Sequence, residues 1–278
     1  MWEKLQDLDR RWIYLVFVIA LLFPLFKPLG LPIKVGADVQ NFYTKFDKLP
    51  AGAVVWLSPD YSPGASAELN PQFEAVLRHC FKNNYKLLMY SMWEQGSFLG
   101  RDIMERVAKE LNKVHGVDWI YLGWRAGGNT VIRRASEDLW GAMENLDGYD
   151  KPLADSPLMA NIRRLWTPDV DAIVCFSSGS PGDGDYMTYV TDPAAKEAKP
   201  VLLFTGQVAV QAPSRIPVIR SGQIQGMIPG MGGAAEYETL NKIPGKAAGL
   251  MDAQSLAHVV ILAFIVLGNI AYLASRKK

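Results

Sequence analysis

Two apolar stretches near the ends of the chain constrain it more than any other feature. The first runs from Trp12 to Phe26, is interrupted by Lys27, and regains its apolar character from Pro28 to Ile33. The second runs from Ala257 to Ala274 without a formal charge. A helix that crosses a bilayer needs roughly 20 apolar residues. The second stretch is just long enough. The first reaches that length only if Lys27 extends its ammonium to the headgroups and the segment to Ile33 completes the crossing. Pro24 is expected to kink it, because proline removes a helical hydrogen bond. A cleaved signal peptide is the competing reading, and the lack of a clear A-x-A site after the apolar run favours a retained anchor. The expectation is two transmembrane helices, 12–33 and 256–274, flanking a domain over 34–255.

Basic residues set the orientation. Arg10 and Arg11 precede the first stretch, and Arg276, Lys277 and Lys278 follow the second. The positive-inside rule then places 1–11 and 275–278 in the cytoplasm and the domain on the other side. Glu3, Asp7 and Asp9 dilute the first signal, but acidic residues count little in this rule.

Between the spans, short apolar runs alternate with helix-like stretches. The runs are 53–57, 86–90, 118–122, 172–176 and 201–204, and they show no polar alternation. That pattern suits parallel strands covered on both faces. Phe73, Val76, Leu77, Cys80 and Phe81 have helical spacing, with Asn70 as a cap and Pro71 in the first turn. Further helices are expected over 98–114 and 130–143. Strands alternating with helices predict an α/β fold, a Rossmann-like or flavodoxin-like parallel sheet of about five strands. Cys80 and Cys175 are expected to be buried free thiols, each in a regular element.

In such a sheet, ligands bind beyond the carboxyl ends of the strands. The loops there predict Asp60, Glu94, Arg125, Ser177 and Ser178 as ligand-binding residues, set against the plainer reading of ordinary polar turns. No catalytic residue is assigned. The P-loop, the G-x-G-x-x-G fingerprint and the G-x-S-x-G elbow are all missing, so no cofactor is expected. His79, His115 and His258 do not form a metal-ligand spacing. Asp183 and Asp185 sit in a glycine-rich loop but lack the calcium ladder. His79 is expected as a helix-surface or interface residue. The net charge of +1, from 29 basic and 28 acidic residues, gives no reason to expect nucleic acid.

The stretch from Ser221 to Glu238 is rich in small residues. Gly226, Gly230, Gly232 and Gly233 are expected to let another backbone come close, as an interface, if the stretch is helical; a flexible loop is the alternative.

Several phrases together resemble a group of bacterial two-span membrane proteins with an extracytoplasmic Rossmann-like domain. They are Asp9-Arg-Arg, Leu49-Pro-Ala-Gly, Ser58-Pro-Asp-Tyr-Ser-Pro, Glu68-Leu-Asn-Pro71, Ser221-Gly-Gln-Ile-Gln-Gly226 and Gly232-Gly-Ala-Ala-Glu-Tyr-Glu238. The resemblance implies fold, topology and a place in the bacterial inner membrane, with the main domain periplasmic. It implies no activity. The layout is more weakly similar to the domains of gliding-motility-type ABC transporter auxiliaries, a fold-level analogy that does not decide function.

The expected function is that of a non-catalytic, membrane-anchored subunit or scaffold. Its partners would be the lipid bilayer and a homo- or hetero-oligomeric membrane complex. The alternative is an extracytoplasmic ligand-binding or sensory domain with its pocket at the strand ends. A hydrolase built on Asp60 or the serines at 177 and 178 has the least support.

Overall fold

The computed structural model describes residues 9–27, 29–243 and 245–275. Pro28 and the basic cluster Arg276–Lys278 lie outside the described residues, as does most of the predicted cytoplasmic amino terminus. In chain order the main elements are α1 (Arg10–Phe26), α2 (Ala37–Phe46), β1 (Val54–Asp60), α3 (Ser66–Lys82), β2 (Lys86–Tyr90), α4 (Glu94–Glu110) and β3 (Trp119–Gly123). There follow α5 (Asn129–Glu137), β4 (Ala172–Ser177), β5 (Leu202–Gln207), β6 (Met227–Pro229), α6 (Gly230–Asn241) and α7 (Lys246–Ser275). The chain divides into two units, 34–245 and the two ends together.

The six strands form one parallel sheet in the order β3-β2-β1-β4-β5-β6. This is the doubly wound, Rossmann-like order, whose topological switch point lies between β1 and β4. The expected five strands become six. β6 is only three residues long and lies inside the Gly- and Pro-rich stretch, so it carries no apolar run to betray it. The five longer strands are buried nearly throughout, as their unbroken apolar runs require.

Side chains alternate between two layers. Trp56, Leu88, Ile120, Ile173 and Leu203 point into a core with Val131, Ile132 and Leu139. On the other layer, Phe42 of α2 meets Phe204 at 4.7 Å and Tyr237 of α6 at 5.2 Å.

Helix boundaries differ from expectation where side chains supply local caps. α3 begins at Ser66, so Asn70 is not its cap and Pro71 lies inside it. The expected helix 130–143 breaks at Asp138, whose carboxylate accepts the Gly141 N–H at 3.0 Å and starts a new turn. His79 is fully buried, not on a surface: its ring nitrogens meet Tyr237 Oη at 2.6 Å and Asp47 Oδ1 at 2.9 Å. Burial pulls its basicity below the usual histidine range. Cys80 and Cys175 are buried and unbridged.

In the unit formed by the chain ends, α1 packs on α7. Small or compact residues are buried there, Ala20 and Pro24 on α1 and Ala253, Ala257 and Ala271 on α7. Large apolar residues point outward, among them Trp12, Ile19 and Leu22 on α1 and Leu262, Ile265 and Val266 on α7. Among the described residues, one helix, Lys246–Ala274, is long and apolar enough to cross a membrane, not two. α1 has 17 residues and stops at Phe26. Lys27 is extended (φ −138°, ψ 91°), the conformation that a following proline favours. The segment to Ile33 is therefore not a continuation of the helix. Instead, the N–H groups of Leu29, Gly30 and Leu31 donate to the carboxylate of Asp252 at 2.7, 3.0 and 3.2 Å.

Candidate functional site

The carboxyl edge of the sheet at the switch point is where this fold would hold a ligand. Asp60 ends β1 and Ser177 ends β4, and the two are direct neighbours in the strand register. The structure thus brings these two of the five candidate residues together at that edge.

Their side chains, however, are spent on the domain itself. Asp60 is fully buried. Its Oδ1 accepts from the Met92 N–H at 2.7 Å, and its Oδ2 accepts from Ser58 Oγ at 2.8 Å and Cys175 Sγ at 3.3 Å. Behind Ser58, Tyr186 Oη stands 2.7 Å away and accepts from Trp56 Nε1 at 3.0 Å. Desolvation raises the Asp60 carboxyl to about 7, against the hydrogen bonds that favour the charged form. The same burial pushes the Cys175 thiol and the Tyr186 phenol up. Neither is a ready nucleophile.

Ser177 Oγ donates to the Gly179 carbonyl at 2.9 Å. The loop closes over it so tightly that a Cβ on Gly182 would stand 2.3 Å from that hydroxyl. Ser178 uses its backbone, donating to the Asp60 carbonyl at 3.3 Å and accepting from Gln211 Nε2 at 2.7 Å.

The other two expected residues do not converge on this point. Glu94 is exposed in the first turn of α4, where its charge suits the helix dipole. Arg125 turns back on the chain. Its guanidinium donates to the carbonyls of Trp124, Met143 and Leu146 at 3.0, 3.3 and 3.3 Å, so it pins the turn after residue 142.

The structure adds a second buried carboxylate that sequence reasoning considered only for calcium. Asp183 accepts a two-point bond from Arg215, Nη2 to Oδ1 at 2.7 Å and Nε to Oδ2 at 2.8 Å. Gln207 Nε2 at 2.9 Å, the Gly184 N–H at 3.0 Å and Thr205 Oγ1 at 3.1 Å also donate to it. The available signal was the polar end of β5, Thr205-Gly-Gln207, in an otherwise apolar strand. Arg215 itself had no local signal. Asp185 is taken by the Gly182 N–H at 2.9 Å. Among the described residues, no three His, Cys, Asp or Glu side chains are grouped to hold a metal.

The expected interface glycines also serve the domain. A Cβ on Gly226 would lie 2.4 Å from Phe42 Cα, one on Gly230 2.9 Å from Ala209 Cβ, and one on Gly233 2.5 Å from Pro229 Cδ. Gly232 is half-buried on the first turn of α6. The close approach that Gly226, Gly230 and Gly233 permit is made to α2, to Ala209 after β5 and to β6.

A separate cavity of about 560 Å³ opens on the flank between α5 and the π-helical turn Met187–Thr191. Arg133, Glu137, Arg164, Trp166 and Tyr189 are among the residues that line it. Two guanidiniums beside two rings suit a planar anion.

No family model matches the chain, and no curated protein or solved structure matches it.

Proposed function

We propose that this chain is a membrane-anchored, non-catalytic subunit whose α/β domain works by associating with other chains. One observation carries the reading. At the switch point, both buried carboxylates and the Ser177 hydroxyl are held by partners within the domain, through Met92, Ser58, Gly179, Gln207 and Arg215, and the Ser178 backbone is fixed by Asp60 and Gln211. No base stands beside Ser177 or Ser178 among the described residues, and the two soluble-domain histidines lie elsewhere, His79 between α2, α3 and α6 and His115 before β3. Groups that satisfy one another stiffen a fold; chemistry needs a group left poised for substrate.

Anchoring draws its support from α7 and from the outward-facing apolar residues of α1. With α7 as the span, a cytoplasmic carboxyl end and a periplasmic domain are part of the same proposal, supported by Arg276, Lys277 and Lys278 after that helix. Chemical cross-linking in intact membranes tests association directly. The expected result is ladders or defined bands well above 30.8 kDa. A chain that cross-links to nothing at any reagent concentration would remove the proposal.

A ligand-binding role rests on the flank cavity instead of the strand ends. It expects an aromatic carboxylate or nucleoside phosphate to raise the melting temperature of the full chain, and Arg133→Ala with Arg164→Ala to abolish the rise. A flat response across such anions would dismiss it.

A further inference from the structure

At the opposite edge of the sheet from Asp60, a groove of about 450 Å³ lies where α3 and α4 end. Its floor is apolar, made by Phe81, Leu111 and Ile243. Three cations stand around it, Arg78, Lys82 and Lys113.

Their charges are not equivalent. Arg78 is answered by Glu74 at 2.8 Å and Glu110 at 2.6 Å, and Arg106 shares the same two carboxylates. That group of four is neutral. Among the described residues, Lys82 donates to the neutral Asn241 carbonyl at 3.0 Å and Oδ1 at 3.3 Å, and its charge reaches the Asp47 carboxylate without a hydrogen bond. Lys113 donates to Asn84 Oδ1 at 2.9 Å, rests 5.9 Å from the centre of the Phe81 ring, and acts at longer range on Asp118. Part of each ammonium charge answers the carbonyl ends of the helices. Each ammonium has three donors, so both keep N–H groups for another acceptor. Two positive charges beside an apolar floor match an amphiphile with an anionic head.

Sequence position says which amphiphile. Ile243, on the groove floor, is three residues before Lys246, the first residue of α7. Three residues of chain reach at most about 11 Å. Within the membrane unit, the Asp252 carboxylate holds Leu29–Leu31, and the side chains of Leu29 and Leu31 are exposed and apolar. That level has the character of the hydrocarbon boundary, and Lys246 stands only six residues, or about 9 Å of helix, above it. Lys242 adds a further exposed cation beside Ile243.

We propose that this groove seats an anionic phospholipid of the membrane that holds the chain, its phosphate on Lys82 and Lys113 and its first acyl carbons on Phe81, Leu111 and Ile243. The assignment rests on the membrane-anchor reading above. A headgroup there would fix the domain against the surface by a bond that a zwitterionic lipid, with its own ammonium, makes poorly.

The test uses the full chain in mild detergent, titrated with phosphatidylglycerol or phosphatidylcholine and read by native mass spectrometry. Phosphatidylglycerol is expected to be retained on the order of tenfold better, from two lysine contacts at a membrane surface. Lys82→Gln with Lys113→Gln is expected to bring the ratio to near one, and Leu111→Asp to lower retention of both lipids. Lys113→Glu alone, on a half-buried side chain, provides a variant that keeps the helices and is expected to favour phosphatidylcholine. Equal retention of the two lipids by the wild type would overturn the proposal, as would an unchanged ratio in the lysine variants. Displacement of phosphatidylglycerol by inorganic phosphate at equal concentration would make this a free-anion site and overturn the lipid assignment. Alkaline carbonate washing separates the two readings. A chain that the wash releases fails as an anchor; a chain that stays, yet shows no lipid preference, fails only at the groove.

Discussion

Asp60 accepts from Met92, Ser58 and Cys175 in a site from which water is excluded, and the pH dependence of folding should report it. Its folded carboxyl is raised from 3.8 to about 7, so the folded state favours the protonated form. The contribution of this group is full below pH 4. It fades as pH rises and is lost through pH 7. Asp60→Asn stays neutral at every pH. Its melting temperature relative to wild type is therefore expected to climb between pH 5 and 8, by about 5 °C. Thermal denaturation followed by circular dichroism across that range measures it, and parallel curves for the two proteins would contradict the assignment. Asp60 stood out in the sequence as a carboxylate in the loop expected after the apolar run 53–57; β1 instead extends to Asp60 and buries it. The pairing of Asp183 with Arg215 was not legible. The two are 32 residues apart and meet only when the loop after β4 folds against the segment after β5.

At the scale of elements, five strands announce themselves because a parallel sheet buries both faces and so uses unbroken apolar runs. β6 escapes notice. Its three residues pair with Thr205–Gln207 inside a stretch whose composition reads equally as loop or helix. Gly226 explains part of that composition: α2 runs so close that Phe42 Cα occupies the space of a side chain. Gly226→Ala must push α2 away from β5 and β6, and is expected to cost about 2 kcal/mol, the usual range for overpacking a tight core. Urea unfolding measures the loss. A change under 0.5 kcal/mol would mean that α2 adjusts freely. The same composition invited the expectation of an interface at Gly226, Gly230, Gly232 and Gly233, with another helix or another subunit. Sequence alone cannot distinguish a backbone of the same chain from that of a neighbour. Helix ends were misjudged for a related reason: Asp138 and Lys27 act through geometry that periodicity does not record.

For the whole molecule, the two apolar ends and the α/β middle were visible from composition, because lipid and core impose different lengths of apolar run. The first of those ends forms a helix of 17 residues followed by an extended segment tied to Asp252, and among the described residues only α7 has the length of a span. The central claim is that a domain whose switch-point carboxylates and Ser177 hydroxyl serve its own interior acts through partners. The measurement that tests it most directly is the mass of the particle extracted from its native membrane in mild detergent, with every co-purifying chain identified. A stable particle far above the 30.8 kDa of one chain, with partners in fixed ratio, is the expected result. A monodisperse single chain in its detergent shell would contradict it.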